Sequence, residues 1–114
     1  MAAPLPSPIT PELADALAAR FRVIGDPNRI RILELLRAGE LPVSRIGDDL
    51  GMSQQNASKH LCVLAQAGIV ARRKVGTSVR YRIADEGVLA LCEQVCGGLQ
   101  MRVDELRSLV AGPA

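Results

Sequence analysis

Two cysteines one helical turn apart are the residues of this chain whose chemistry is plainest from the sequence. Cys92 and Cys96 lie four positions apart, so both thiols would lie on the same face of a helix. Thiolates bind soft metal or metalloid ions and act as redox switches, but cysteine is also a common small core residue. The pair therefore leaves three roles open: core packing, redox or metalloid sensing, and zinc or nickel binding. The sequence also leaves open that the protein binds no cofactor.

Other reactive side chains are few. His60 is the single histidine, and it falls in a segment where packing or a phosphate contact is the expected role. No Ser-His-Asp or Cys-His grouping, phosphate-binding loop or plausible acid pair occurs, so we do not expect an enzyme. Cys62 makes the cysteine count odd, and the first residues do not resemble a secretory signal. We therefore expect reduced thiols and a cytoplasmic location.

The charge is unevenly distributed along the chain. The net charge of the 114 residues is only +2, yet the segment 51–84 contains six basic residues and no acid. These are Lys59, Arg72, Arg73, Lys74, Arg80 and Arg82. Such a basic block predicts contact with a polyanion. Aromatic residues make up only 2%, which argues against stacking on single-stranded nucleic acid. No apolar run has the length of a membrane span, so no membrane contact is expected.

Caps, glycines and apolar periodicity predict the elements that hold these residues. Residues 1–9, with three prolines, predict a mobile arm, residues 10–110 one domain, and residues 111–114 a short tail. The expected helices run from about 10 to 24, 27 to 38, 43 to 50, 53 to 67 and 86 to 110. In the second helix, Ile30, Leu33 and Leu36 or Leu35 are expected to point inward. The segment "ELPV" predicts an extended link, and Gly76-Thr77 the turn of a hairpin.

The third and fourth helices are joined by only three residues, Gly51-Met52-Ser53. Two short helices across such a tight turn are typical of a helix-turn-helix. Because a β-hairpin follows directly, the sequence predicts a winged helix-turn-helix. The fold class is therefore mainly α with a small β-hairpin wing, in the order α-α-α-α-β-β-α.

The fourth helix has two unlike faces. At about 100° per residue, Ala57, Leu61 and Leu64 share one side, and polar residues share the other. In a helix-turn-helix the second helix enters the major groove, where amide, hydroxyl and ammonium groups can read base edges or hold phosphates. The double-stranded DNA contacts predicted for this helix and the hairpin are Ser53, Gln54, Gln55, Ser58, Lys59, Arg73, Lys74, Thr77 and Arg80.

Apolar stripes on the first and last helices exceed what one small core can cover, which predicts a homodimer. The expected interface residues are Leu13, Leu17, Phe21, Val88, Cys92, Val95, Leu99 and Val103.

Three segments together resemble one protein family. The stretches "IGDPNRIRILELL", "GELPVSRIGDDLGMSQQNASKHLCVLAQAGIV" and "RRKVGTSVRYRI" are similar, in order and spacing, to the ArsR/SmtB family of bacterial winged-helix repressors. The resemblance covers about residues 21–83. It implies a homodimer built on the first and last helices that binds a palindromic operator. It also implies release from DNA when a metal ion, metalloid or thiol oxidant is sensed.

The sequence departs from the sensor motifs of that family. Pro42 and Ser44 occupy the stretch where arsenic and cadmium sensors carry a Cys-x-Cys pair. Asp85 matches the start of the zinc-type motif, but Gly87 replaces its histidine. The effector therefore stays open, with Cys92 and Cys96 as candidate ligands. An alternative is a protein-interaction module or co-regulator whose effector is sensed by a separate partner protein.

Overall fold

A computed structural model describes residues 7–111 of the chain. Its elements in order are α1 (Pro11–Ile24), α2 (Pro27–Leu36), β1 (Leu41–Pro42), α3 (Val43–Leu50), α4 (Gln54–Gln66), β2 (Val70–Val75), β3 (Ser78–Ile83) and α5 (Glu86–Ala111). The larger part of the expected arm, residues 1–6, and the end of the expected tail, residues 112–114, lie outside the described residues.

The helices begin at the capping residues that the sequence predicts. The Thr10 hydroxyl accepts a hydrogen bond from the Leu13 amide at 3.1 Å. The Asp26 carboxylate accepts from two α2 amides, and the amide of Arg29 is the main reason that the pKa of Asp26 is lowered. Each cap satisfies a backbone donor that has no partner within the helix. The predicted starts of these helices are confirmed, whereas α2 ends at Leu36, two residues earlier than expected.

The expected extended link forms a third strand. β1 pairs with β3, Leu41 opposite Tyr81 and Pro42 opposite Arg80, so the antiparallel sheet has the order β1-β3-β2. Proline is tolerated in β1 because this strand lies at the edge of the sheet. The predicted winged helix-turn-helix is confirmed, but the element order becomes α-α-β-α-α-β-β-α.

The core lies between α2, α3, α4 and the inner face of the sheet. Its fully buried side chains are Ile32, Leu33, Leu36, Ile46, Leu61, Leu64 and Ile69. The inward prediction for Ile30 is wrong, since 45% of this residue is exposed. Ile30 lies one turn before the buried Leu33 on the same side of α2, but it borders an open cleft between α2 and α5 and is not covered there.

Most of α5 extends beyond this core. Every residue from Glu93 to Ala111 is exposed, and the radius of gyration is 17.4 Å. A compact chain of this length would have a radius of about 13 Å. A long helix with apolar side chains and no covering layer is expected to be covered by a partner. Within residues 7–111, no helix is both long and apolar enough to cross a membrane.

Candidate nucleic-acid interface

A tight turn between α3 and α4 determines where α4 begins. Gly51 has φ +67°, a left-handed conformation that glycine adopts without the steric cost of a Cβ. The Met52 amide donates to the Gly47 carbonyl at 3.0 Å. A Cβ on Gly47 would stand 3.0 Å from the Met52 carbonyl oxygen, so a larger residue there would require the turn to shift. These two glycines let α4 follow α3 with only three residues between them.

The two faces of α4 are as the sequence predicts. Ala57, Leu61 and Leu64 are fully buried against the core. On the other side, Gln54, Gln55 and Lys59 are exposed and Ser58 is half-buried. The Ser53 hydroxyl accepts from the Asn56 amide at 3.0 Å, so this residue serves as the helix cap. The exposed side therefore presents amide and ammonium groups from the first turns of a rigidly packed helix.

Two arginines outside α4 hold it in position, and neither was singled out from the sequence. Arg29 donates from Nε to Nδ1 of His60 at 3.2 Å and from NH1 to the Val23 carbonyl at 3.0 Å. The His60 ring therefore contacts α2 through its Nδ1 atom.

Arg20 bridges three helices. One of its nitrogens donates to the carbonyl of Ala67 at 2.8 Å, directly after α4, and the other pairs with the Asp85 carboxylate. Asp85 also caps α5 by accepting from the Gly87 amide at 3.0 Å. α1 is thus tied to the end of α4 and the beginning of α5.

The predicted contacts in the wing, which is formed by β2, β3 and their turn, fall on two faces. Residues paired across a sheet point to the same side. Lys74 pairs with Val79, whose side chain packs against the core, so Lys74 lies on the helix side of the wing. Arg73 pairs with Arg80, and both lie on the opposite, outer side. Thr77 is exposed in the turn. The structure therefore does not bring the four predicted residues together on one surface.

A carboxylate from outside the basic block contacts the outer side of the wing. Glu40 accepts two hydrogen bonds from Arg73, at 2.5 and 3.1 Å. These bonds lower the pKa of Glu40 and raise the pKa of Arg73. The segment 51–84 contains no acidic residue of its own, but in the folded structure the carboxylate of Glu40 lies against it. Arg73, predicted to be available for phosphates, is paired in this structure.

Two further polar residues lie on this candidate interface and were not among the predicted DNA contacts. Asn56 is exposed in the first turn of α4, and Arg72 pairs with Tyr81, on the same side of the sheet as Lys74. The signal that could have found Arg72 is the alternation of side chains along a strand, which separates Arg72 and Lys74 from Arg73.

Comparisons with known proteins agree with this architecture. Residues 24–73 match the sequence model of a family described as a helix-turn-helix domain. The transcriptional regulator NmtR of Mycobacterium tuberculosis is 32% identical over 88 residues, which are 77% of this chain and 73% of NmtR. The homodimeric winged helix-turn-helix DNA-binding domain of Mb0332 from Mycobacterium bovis aligns with TM-score 0.74 and 33% identity, over 82% of this chain and 87% of that domain. The antimony-specific repressor AntR aligns with TM-score 0.73 and 29% identity, over 95% of this chain and 100% of the AntR chain.

The chain belongs to the ArsR/SmtB family of winged helix-turn-helix transcriptional regulators. Its function is that of a DNA-binding transcriptional regulator. The resemblance noted in the sequence is confirmed.

In this ArsR/SmtB chain the predicted interface residues differ in exposure. Phe21, Val95, Leu99 and Val103 are exposed, and Leu13, Leu17 and Cys92 are half-buried. Val88 is only 5% exposed and belongs to the core of the single chain, because it lies in the first turn of α5, where that helix still contacts the core. Val88 is therefore not available to a second copy.

The candidate sensor residues of this family member line a cleft between α2 and α5. Cys92 is half-buried and burial raises the pKa of its thiol, while Cys96 is exposed. Ile30 lies at the same cleft. Within residues 7–111, no three His, Cys, Asp or Glu side chains come together as a metal site would require. One chain therefore brings two thiols, those of Cys92 and Cys96, to this cleft.

Proposed function

We propose that this protein is a homodimeric repressor that reads a palindromic operator with α4 and holds the DNA backbone with the wing. The observation that carries this proposal is the exposed polar side of α4, opposite the buried seam of Ala57, Leu61 and Leu64. Helices of this kind present their N-terminal residues to base edges in the major groove.

The proposed roles follow from side-chain chemistry and position. Gln54, Gln55, Ser58 and Lys59 lie in the first turns of α4 and have the donors and acceptors that base edges require. Ser53 caps the helix and orients these residues. Lys74 and Thr77, at the helix side and the turn of the wing, contact phosphates, with Arg72 as an additional basic group. Arg80, on the outer side of the wing, contributes to DNA binding mainly through its charge.

The homodimer is proposed to form through α1 and α5. The exposed apolar residues Phe21, Val95 and Leu99 border an open cleft of about 490 Å³ between these helices, and its lining is almost wholly apolar. Covering such a surface with a second copy removes it from water. Two copies would also present two α4 helices, which is how dimers read palindromic half-sites.

The effector is proposed to act at Cys92 and Cys96, as a soft metalloid or metal ion or as a thiol oxidant. The thiols lie one turn apart at a cleft beside the proposed interface, and four of them across a dimer would suit a soft ion. Core packing stays the competing role of Cys92. A separate effector-sensing partner protein is the alternative. With three free thiols, we propose that the protein acts in the cytoplasm, where thiols stay reduced.

DNA binding by two variants tests the division between base reading and phosphate contact. We expect Gln55→Ala to weaken binding to the preferred operator by about 1–3 kcal/mol and to relax preference at one position in each half-site. Lys74→Ala should weaken binding to operator and scrambled duplex alike. Since a dimer loses two phosphate contacts, the slope of log affinity against log salt should flatten by about 1.8.

The measurement is a binding series over salt concentration for both variants on both duplexes. Identical behaviour of the two variants would refute the division of roles. Unchanged binding in both would remove DNA recognition from this face and favour the protein-interaction module.

A further inference from the structure

A single carboxylate lies among the arginines on the outer side of the wing. Glu40, directly before β1, lies on the same side of the sheet as Arg73, Arg80 and Arg82, because the pairing of β1, β3 and β2 aligns these positions. The side chain of Glu40 is 20% exposed and that of Arg73 is 57% exposed. The pair is thus open to solvent on the side of the arginine.

Glu40 holds Arg73 in the geometry that a phosphate would use. Nε of Arg73 donates to one carboxylate oxygen at 3.1 Å, and a terminal nitrogen donates to the other at 2.5 Å. Parallel hydrogen bonds of this kind are how a guanidinium binds carboxylate or phosphate, so one anion excludes the other. Arg73 immediately precedes Lys74 in β2, near the wing turn, so its long side chain could reach DNA lying against that turn.

We propose that Glu40 is an internal competitor of DNA phosphate for Arg73, and that it lowers the affinity of the wing for duplex DNA of any sequence. This inference rests on the proposed DNA contact of the wing. Sequence-independent affinity comes mainly from basic side chains that neutralise phosphates. A carboxylate that occupies one of these side chains therefore weakens binding to operator and non-operator duplex alike.

The lowered pKa of Glu40 is consistent with this role. The hydrogen bonds from Arg73 stabilise the carboxylate, and the charges of Arg73, Arg80 and Arg82 act in the same direction. Glu40 is therefore ionised throughout the neutral range, and the competition does not depend on physiological pH.

A four-protein comparison tests the proposal: the unaltered chain, Glu40→Gln, Arg73→Gln and the double variant. Each is titrated with scrambled duplex over about 50 to 200 mM salt. Freeing Arg73 in both subunits should steepen the salt slope of Glu40→Gln by about 1.8. The affinity gain at about 50 mM should therefore exceed the gain at about 200 mM by about tenfold. Arg73→Gln alone should leave the slope nearly unchanged, and the double variant should return to that of the unaltered chain.

Glu93→Gln is the matched control. Glu93 pairs with Arg37 at 2.5 Å between α5 and α2, so its substitution adds the same net charge away from the wing. Arg37 keeps its second ion pair, with Glu34 at 2.9 Å, so this variant controls for net charge. The salt slope of Glu93→Gln should equal that of the unaltered chain. Melting curves check that each variant is folded. Should Glu40→Gln lose structure, Glu40→Asp replaces it, since the shorter carboxylate cannot keep both hydrogen bonds.

Each contrary result has a distinct meaning. A flattened slope in Arg73→Gln with no change in Glu40→Gln would mean that Arg73 already contacts phosphate, and the proposal would be overturned. If the salt slope steepens equally in Glu40→Gln and Glu93→Gln, the effect comes from net charge alone. The proposal would then also be overturned. A double variant as steep as Glu40→Gln would exclude Arg73 as the group released. If the unaltered chain binds no duplex, the proposed function itself fails.

Discussion

Adjacent residues of the wing differ in what they can contact. Arg73 and Lys74 are neighbours in β2, yet one lies on the outer side, paired with Glu40, and the other on the helix side, without a hydrogen-bond or ion-pair partner among the described residues. Their chemistry is similar, so position alone separates them. A similar contrast holds for the thiols, since Cys92 is half-buried and Cys96 exposed.

The thiol contrast predicts an order of reactivity. Burial raises the pKa of Cys92, so at neutral pH it has less thiolate than an ordinary cysteine, and only the thiolate reacts. In the single chain, obtained as the monomeric Leu99→Glu variant, we expect iodoacetamide to modify Cys96 several-fold faster than Cys92 near neutral pH, with the Cys92 rate still rising at alkaline pH. Mass spectrometry of timed samples gives both rates, and urea should abolish the difference. A faster Cys92 would mean that this thiol is activated in the folded protein.

At the scale of the elements, α4 depends on contacts from all its neighbours. The α3–α4 turn sets its beginning, Arg29 holds it through His60, and Arg20 holds its end through the Ala67 carbonyl. The hydrogen bonds of Arg20 therefore link the end of α4 to α1 and to the beginning of α5.

We expect a single methyl group added at the α3–α4 turn to lower the stability of the protein. Gly47→Ala would place a Cβ 3.0 Å from the Met52 carbonyl oxygen and near the beginning of α4. The overpacking should outweigh the better helix propensity of alanine, so we expect a net loss of about 1–2 kcal/mol in unfolding free energy. Ser44→Ala, at an exposed position of the same helix, is the control and should change little. Urea denaturation measures both, and an unaltered Gly47→Ala midpoint would show that the turn relaxes freely.

At the scale of the whole molecule, one chain leaves much of its apolar surface uncovered. The exposed part of α5 alone carries Val95, Leu99, Val103 and Leu106, each at least 40% exposed. Together with a radius of gyration well above that of a compact chain, this surface suits the proposed homodimer.

The homodimer can be tested by placing a charge on the proposed interface. Leu99→Glu would bury a carboxylate against the partner, which is costly without a hydrogen-bonding group to pair with it. We expect light scattering to give a dimer for the unaltered chain at micromolar concentration and a monomer for Leu99→Glu. Gln94→Glu adds the same charge to α5 away from the apolar stripe and should stay dimeric. A monomeric unaltered chain would rule out the homodimer.

The sequence alone determined the five helices, the hairpin and most of the proposed DNA-binding helix. The helix caps Thr10, Asp26 and Ser53 and the hairpin turn at Gly76-Thr77 could be read directly. Such features are decided by hydrogen bonds and steric limits within a few residues. The two faces of α4 were equally predictable, because helical periodicity follows from local geometry.

Only the tertiary structure decided which distant groups meet. β1 joins the sheet by pairing Leu41 with Tyr81, Glu40 reaches Arg73 across 33 positions, and Arg20 reaches Asp85 across 65. No local pattern encodes these contacts, because a long charged side chain can pair with any opposite charge that folding brings within its reach. The burial of Val88 and the exposure of Ile30 likewise depended on which helices pack together, since both lie on stripes that have more than one possible partner.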